Sequence, residues 1–246
     1  IPPSARRSAL LNQADTPQKQ AVARRMAEQL LSSFESVIIS SFDPPEELPT
    51  IHARIEPTAG IILAAGSATR FGRPKQLAVW EEETLIHRVC RIALLAGLDP
   101  VIVVTGAYAE LVEAAILDLP VQCIFNSDWD AGQGTSVATG IRASPEKVGA
   151  AIFLLSDQPG ISPGLLSSLK EVHAVSGDPI IGPLFDGQRG NPVLFDRITF
   201  KDLSQLQGEQ GGKAIFSHHK VHWIPWQNAS AGIDIDTPLD LERLNH

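Results

Sequence analysis

Short apolar segments that alternate with amphipathic segments constrain the fold of this chain more than any other feature of its sequence. From Ala59 onward, helical patterns such as ETLIHRVCRIALLAG separate the apolar runs GIILAA, PVIVVTG, VQCIFN, AAIFLLSD and PIIGPLF. Strands that are apolar along their whole length are buried on both faces, and helices between them favour parallel crossovers. We therefore expect an α/β fold of three layers, with helices on both faces of a mainly parallel central sheet.

Residues 1–56 precede this alternation. We expect SALLNQAD to form a short strand, Asp15-Thr16-Pro17 to start a helix, and SVIISSF to form a second strand. The following DPPEELPTIHARIEP is expected to be a proline-rich, charged linker. The sequence therefore predicts a β-α-β remnant of an upstream domain plus a linker in residues 1–56, and a main domain in residues 57–246.

Composition excludes several classes of protein. With 43% apolar residues and no apolar run that approaches the roughly 18 residues of a membrane-spanning helix, the chain is expected to be globular and cytoplasmic, without a membrane partner. A formal charge of −8 argues against nucleic acid as a partner, because duplex binding needs a basic face. Cys90 and Cys123 are far apart in apolar strings and are expected to be buried thiols.

The first apolar strand of the main domain runs into a loop of small residues that ends in cations, GIILAAGSATRFGRPK. Small residues let a backbone approach a polyphosphate, and the cations Arg70, Arg73 and Lys75 add positive charge. The spacing is neither that of a Walker loop nor that of a dinucleotide fingerprint. We predict a triphosphate site in which Lys75 and Arg70 stabilise charge, with Arg73 as a helper. The residues expected to cradle the nucleotide are Leu63, Ala64, Ala65 and Gly66.

Two distant acidic segments are candidates for a metal site. Asp157 follows the apolar strand AAIFLL, and Asp236 lies in DIDTP near the C-terminal end of the sequence. Mg²⁺ usually takes one or two carboxylates together with phosphate and water oxygens, so Asp157 and Asp236 are predicted to hold it, with Asp234 as a weaker candidate. Each also has a structural alternative, because Asp157 suits a turn and Asp236 can cap a helix that begins near Pro238.

A glycine-rich segment, GQGTSVATG, opens a helix after the strand VQCIFN. Backbone amides at such a position, together with hydroxyl groups, can contact the base or the ribose of a nucleotide. Gly134, Thr135 and Ser136 are therefore predicted nucleotide-binding residues. A plain loop-to-helix junction is the alternative.

These four motifs, in this order, resemble those of the molybdenum cofactor cytidylyltransferases of the MobA-like NTP transferase superfamily. The resemblance runs from about Ala59 to Leu244, roughly three quarters of the chain, and implies a Rossmann-like nucleotidyltransferase fold. The later motifs GQRGNPVLF and GEQGGK are similar to two further motifs of that family. They imply an acceptor site at Asn191, Pro192, Gly211, Gly212 and Lys213. The chain departs from the family pattern by having Glu209 for Asp and Lys213 for Arg, and lysine lacks the bidentate fork of arginine.

The resemblance implies a Mg²⁺-dependent enzyme that transfers CMP from CTP to the terminal phosphate of molybdopterin, or of the molybdenum cofactor, and releases pyrophosphate. Ala64-Ala65-Gly66 resembles the cytidine-using branch, and a molybdenum hydroxylase is the implied recipient of the product. Asn12-Gln13-Ala14-Asp15 belongs to a segment that resembles the tail of an accessory-protein domain for selenium-dependent hydroxylases. Two alternatives stay open, namely transfer to another acceptor, such as a sugar phosphate or methylerythritol phosphate, and a non-catalytic nucleotide- or cofactor-binding module.

Overall fold

Two sheets organise the chain in the computed structural model, which describes residues 7–41, 49–67, 74–235, 237 and 240. The N-terminal elements are β1 (Ser8–Leu11), α1 (Pro17–Leu30), β2 (Ser36–Ser41) and β3 (Thr50–Ile55). The elements that follow are β4 (Thr58–Ala64), β5 (Val79–Trp80), β6 (Glu83–Thr84), α2 (Leu85–Leu95), β7 (Val101–Thr105), α3 (Ala109–Ala114), β8 (Gln122–Phe125), α4 (Gln133–Ala143), β9 (Ala150–Leu155), α5 (Pro163–Ser176), β10 (Ile180–Phe185), β11 (Gln188–Arg189), β12 (Val193–Asp196), α6 (Phe200–Leu203) and β13 (Val221–Trp226).

The larger sheet has the strand order β11-β10-β12-β9-β4-β7-β8, and β13 pairs with β10. Strand β4 is parallel to β7 and β9, β7 is parallel to β8, and β13 is parallel to β10. Only β12 and the short β11 pair in antiparallel fashion within this described sheet. The predicted, mainly parallel sheet is confirmed, and the carboxyl ends of β4, β7 and β9 meet at one edge.

Apolar side chains of the central strands point alternately to two helical layers. Ile62 and Leu154 lie in one core with α2 and α5, whereas Ile61 and Phe153 lie in a second core with α4. The first three of these side chains have no solvent exposure, and burial of each stabilises the fold by about 1.5 to 3 kcal/mol. The three-layer architecture is confirmed.

The N-terminal elements form a separate three-stranded sheet, in which β1 is parallel and β3 antiparallel to β2. The predicted strands and the helix that starts after Thr16 are confirmed, and the Thr16 side chain accepts a hydrogen bond from the amide of Lys19. The prediction that residues 43–57 form only a linker is wrong, because residues 50–55 form β3. The β-branched pattern TIHARI outweighs the neighbouring prolines, since it buries Ala53 beside Ile39.

The N-terminal sheet packs on α5 of the main fold. Ala174 of that helix lies against the cluster of Ile39 and Ala53. A cavity of about 990 Å³ lies between the N-terminal sheet and the main fold. Thr58 and Asp99, at the amino ends of β4 and β7, line one side of this cavity. The N-terminal sheet therefore lies away from the edge where the central strands end.

The two cysteines are free thiols. Cys90 is buried and Cys123 is half-buried, and burial raises the pKa of both thiols. The expectation of buried thiols is thus confirmed for Cys90 and holds in part for Cys123. No described helix has the length and apolar character needed to cross a membrane.

A segment near residue 235 returns to the carboxyl edge of the large sheet and joins the turn that follows β9. The amide of Ile235 donates a hydrogen bond to the carbonyl of Asp157 at 2.9 Å. Gln158, only 2% exposed, donates from Nε2 to Oδ1 of Asp234 at 2.6 Å. Ile235 has no solvent exposure and packs between Ala78 and Leu85. Backbone, side-chain and apolar contacts thus hold this segment beside Asp157.

We predict that Gln158 and Asp234 stabilise the fold as a pair. A double-mutant cycle of Gln158→Ala and Asp234→Ala is expected to give a coupling energy of about 1 to 2 kcal/mol, because the hydrogen bond joins a buried amide to a charged group. Urea unfolding of the four proteins measures it. Gln122→Ala, at the exposed start of β8, is the control and should change the free energy of unfolding by less than about 0.5 kcal/mol. A coupling energy below about 0.3 kcal/mol would contradict the prediction.

Candidate active site

The first residues after β4 are fixed by side-chain and backbone contacts to their carbonyl groups. Gln76, which is 2% exposed, donates from Nε2 to the carbonyls of Ala64 at 3.3 Å and Gly66 at 3.4 Å. The amide of Ala107 donates to the carbonyl of Ala65 at 3.1 Å. Sequence reasoning missed Gln76, whose only signal was its place next to Lys75. Arg70 and Arg73 lie outside the described residues.

Lys75 and Asp157, predicted from motifs far apart in the sequence, form an ion pair. Lys75 Nζ lies 2.5 Å from Asp157 Oδ2, and the two side chains are 21% and 16% exposed. Lys75 begins a short 3₁₀ helix after Pro74, and Asp157 follows β9. Because both side chains are largely shielded from solvent, each charge acts strongly on the other.

The turn of residues 156–160, which carries Asp157, is also held from the side of α2. Arg88 Nε donates to the carbonyl of Pro159 at 3.0 Å, and its guanidinium lies 4.1 Å from the centre of the Trp80 ring. Arg88 pairs with Glu83 at 3.2 Å. Arg91, which donates to the same carboxyl, together with His87 and the charge of Arg88, lowers the pKa of Glu83 to about 2. Glu83 is therefore ionised at neutral pH, and the network that fixes this turn stays intact.

A cavity of about 540 Å³ opens at this edge of the sheet, and we call it the polar cavity. Its lining includes six of the predicted residues, Leu63, Ala65, Gly66, Lys75, Ser136 and Asp157. The other described members of the predicted nucleotide set, Ala64, Gly134 and Thr135, are not part of the lining. Among the described lining residues, the charged side chains are one lysine and three carboxylates, those of Asp130, Asp157 and Glu209.

The glycines of the GQGTS segment let two loops touch through their backbones. Gly132 has φ +114°, and a Cβ there would lie 2.3 Å from the carbonyl carbon of Gly208. A Cβ on Gly134 would lie 2.8 Å from backbone atoms of Gln207, and the Gly134 amide donates to the Gly208 carbonyl at 2.8 Å. Larger residues would push the loops apart. The physical reason for these glycines is therefore the approach of the 207–209 loop.

The hydroxyls of Thr135 and Ser136 are organised by Asn126, which is 3% exposed at the end of β8. Asn126 Nδ2 donates to Thr135 Oγ1 at 2.8 Å and to Ser136 Oγ at 3.0 Å. Thr135 Oγ1 also bonds to the carbonyls of Asp128 and Gly132, both at 2.9 Å. Nucleotide contact by Thr135 and Ser136 stays a prediction. Asn126 was missed, although a polar residue at the carboxyl end of a parallel strand is a usable signal.

A second cavity, of about 710 Å³, adjoins the first, and we call it the aromatic cavity. The predicted residues Asn191, Gly211, Gly212 and Lys213 line it, whereas Pro192 is buried behind it after a cis peptide bond. A Cβ on Gly212 would lie 2.8 Å from the Phe195 ring, so glycine brings this loop close to the cavity wall.

Positive charge and aromatic rings distinguish the aromatic cavity. Arg189 and Lys213 line it, and no carboxylate does so among its described lining residues. The Arg189 guanidinium lies 5.1 Å from the centre of the Trp223 ring, and Phe216 contacts Trp223 edge-on with ring centres 5.6 Å apart. Sequence reasoning quoted Arg189 within its motif without assigning it to the site. Glu209, expected near the acceptor residues, instead lines the polar cavity.

The structure describes one of the two carboxylates that were predicted to hold a metal ion. Asp157 lines the polar cavity, and Asp236 lies outside the described residues, next to Ile235. Asp234, the weaker candidate, accepts the hydrogen bond from Gln158. No group of three or more His, Cys, Asp and Glu side chains suited to a metal occurs in the described part of the chain. A site of two carboxylates falls below that number, so the predicted pair stays a prediction.

Sequence relatives align along most of their length with this chain. It is 29% identical over 195 residues to the nicotine blue oxidoreductase of Paenarthrobacter nicotinovorans, covering 75% of this chain and 95% of the relative. It is 26% identical to a probable molybdenum cofactor guanylyltransferase of Bacillus mycoides, covering 72% and 88%. It is also 26% identical to the molybdenum cofactor cytidylyltransferase of Escherichia coli, covering 73% and 91%.

Solved structures share the architecture. Rv0371c of Mycobacterium tuberculosis superposes with a TM-score of 0.70 at 26% identity, covering 77% of this chain and 97% of that one. A manganese complex of the same protein superposes with a TM-score of 0.65 at 26% identity, covering 76% and 97%. The family model of the MobA-like NTP transferase domain matches residues 60–223. Because that match spans more than half of the chain, the protein belongs to the family of MobA-like NTP transferases.

Proposed function

We propose that the protein transfers CMP from CTP to the terminal phosphate of molybdopterin, or of the molybdenum cofactor, with release of pyrophosphate. The observation that carries the proposal is the pair of adjoining cavities. One contains the Lys75–Asp157 pair beside the small-residue loop, and the other is cationic and aromatic. A transfer enzyme needs such a pair of sites, because donor and acceptor must be held side by side.

The polar cavity is the donor site in this proposal. Leu63, Ala64, Ala65 and Gly66 cradle the nucleotide, and Lys75 and Arg70 stabilise charge on the phosphates. Gly134, Thr135 and Ser136 contact the base or the ribose. The choice of CTP rests on Ala65, which lines the cavity and whose methyl group reduces the space beside the base.

The donor set suits a divalent cation. Three carboxylates against one described lysine would repel a triphosphate, and a metal ion offsets this excess of negative charge. Asp157 and Asp236 would hold Mg²⁺. The hydrogen bond from the amide of Ile235 to the carbonyl of Asp157 keeps Ile235, which precedes Asp236 in the sequence, beside Asp157. When bound, the ion supplies charge neutralisation at the phosphates.

The aromatic cavity is the acceptor site. The pyrimidine ring of a pterin is flat and suits a cavity walled by Phe195, Phe216 and Trp223, and the phosphate of molybdopterin suits Arg189 and Lys213. Asn191, Pro192, Gly211 and Gly212 complete the proposed acceptor set. An exposed phosphate monoester is already an anion at neutral pH, so the attack needs no general base. The contribution of this chain's own residues to catalysis is then positioning and charge stabilisation.

The same proposal covers the biological setting. The protein acts in the cytoplasm without nucleic acid or membrane partners, and a molybdenum hydroxylase receives the product. Residues 1–56 form an N-terminal unit, and residues 57–246 form the transferase domain. The support for this division is that β1 to β3 form a sheet of their own.

The first test is pyrophosphate release with Mg²⁺, molybdopterin and each of CTP, GTP, ATP and UTP. We expect release with CTP, and Lys75→Ala should lower turnover by about 10²- to 10³-fold, because a charge contact to the transferring phosphates is lost. Lys147→Ala, at an exposed lysine in the turn before β9, is the matched control and should keep full turnover.

The outcomes separate the alternatives. Release only with GTP would contradict the base assignment, and release only with sugar phosphate or methylerythritol phosphate as acceptor would contradict the pterin acceptor. Binding of CTP without release would indicate a non-catalytic module. Because one relative is named an oxidoreductase, oxidation of NADH and NADPH with a quinoid dye is measured in parallel. Dye reduction without pyrophosphate release would overturn the proposal.

A second prediction concerns the acceptor site. Arg189→Ala and Lys213→Ala are each expected to raise the KM for molybdopterin by about tenfold, since each removes a charged contact worth about 1.5 kcal/mol. The KM for CTP should change by less than about twofold, because both side chains line only the aromatic cavity. Steady-state kinetics with one substrate varied at a time measures both constants. An equal rise in the two KM values would argue against separate donor and acceptor sites.

A further inference from the structure

The polar and aromatic cavities share part of their walls. Three described residues line both of them, Leu63, Gln133 and Leu155. Leu63 is the second-last residue of β4, Leu155 is the last residue of β9, and Gln133 is the first residue of α4. Among these three, only Gln133 has a polar side chain. A group that passes from one cavity to the other therefore passes beside the amide of Gln133.

The backbone of Gln133 is fixed on both sides. Gly132 precedes it with φ +114°, and the Gly134 amide that follows it is bonded to the Gly208 carbonyl. Within the described part of the chain, no hydrogen bond is formed to the side-chain amide of Gln133. The amide thus projects from a rigid position with two N–H donors available to a ligand.

Gly211 limits where this amide can lie. A Cβ built on Gly211 would lie 2.9 Å from Gln133 Oε1 and 3.7 Å from Gln133 Cδ, and no other heavy atom within 4 Å of that position is recorded. Gly211 has φ −78°, which suits any residue. Gly211→Ala therefore leaves its own backbone unstrained and displaces chiefly the side chain of Gln133.

We propose that Gln133 is a catalytic residue that donates hydrogen bonds to the reacting phosphates, an inference that rests on the function proposed above. An oxygen of the acceptor phosphate forms a bond to the α-phosphorus of the nucleotide. The bond from that phosphorus to the bridging oxygen breaks, and its electron pair leaves with pyrophosphate. Gln133 keeps its protons throughout and stabilises the negative charge on the non-bridging oxygens as it shifts.

The test compares wild type with Gln133→Ala, Gln133→Glu, Gly211→Ala and the double variant Q133A/G211A. We expect Gln133→Ala to lower kcat by about 10²-fold, as is typical for a lost transition-state donor, and to change either KM by less than about threefold. Gln133→Glu should be slower than Gln133→Ala, because a carboxylate repels phosphate. Gly211→Ala should lower kcat in the wild-type background and have no further effect in the Gln133→Ala background.

Circular dichroism of each variant distinguishes this effect from misfolding. Gln122→Ala is the control variant and should retain the wild-type kcat. A kcat for Gln133→Ala within about twofold of an active wild type overturns the role of Gln133 and leaves the proposed function standing. Losses that add fully in the double variant also overturn it, since Gly211 would then act independently. A wild type that releases no pyrophosphate with any nucleotide overturns both proposals.

Discussion

The parallel pairing of β4 with β7 and β9 is the constraint on which the remaining structure depends. Because all three strands run the same way, the loops that follow them emerge at one edge, and residues from positions 63 to 67, 106 to 107 and 156 to 160 become neighbours. The strands are buried on both faces, so the edge is rigid. The ion pair between Lys75 and Asp157 follows from this arrangement, since Gln76 binds the segment of Lys75 to the end of β4 and Asp157 follows β9.

Periodicity and motifs were sufficient to predict the layers, the strand direction and six of the fifteen described residues that line the polar cavity. The apolar runs left few alternatives to a parallel sheet, because buried strands that alternate with helices are usually joined by parallel crossover connections. The antiparallel direction of β12, by contrast, is defined by its pairing with β9 and β10, which its own sequence does not indicate. The prediction for β3 was wrong because the prolines before it suggested a linker, whereas the strand is stabilised by pairing with β2, from Ser41 opposite Thr50 to Val37 opposite Ile55.

The residues that sequence reasoning missed in the site share a physical character. Gln76, Asn126 and Gln158 are buried amides that bond to carbonyls, hydroxyls or carboxylates of other segments. Such residues fix the positions of the segments that form a site. The residues next to them in the sequence do not indicate which segment they will bind. Arg189 is different, because it stood inside a recognised motif, and its importance emerges only when the charge of the whole aromatic cavity is considered.

The contact between the GQGTS segment and the 207–209 loop lies on both sides of Gln133, which lines both cavities, and it consists of backbone atoms. This contact requires glycine at positions 132 and 134, and it does not involve the side chains that line the rest of either cavity. Residues such as Ala65 on one side and Arg189, Lys213 or Trp223 on the other can be exchanged while the distance between the cavities is preserved. The side chains that line the polar cavity and those that line the aromatic cavity can therefore differ without any change in this backbone contact.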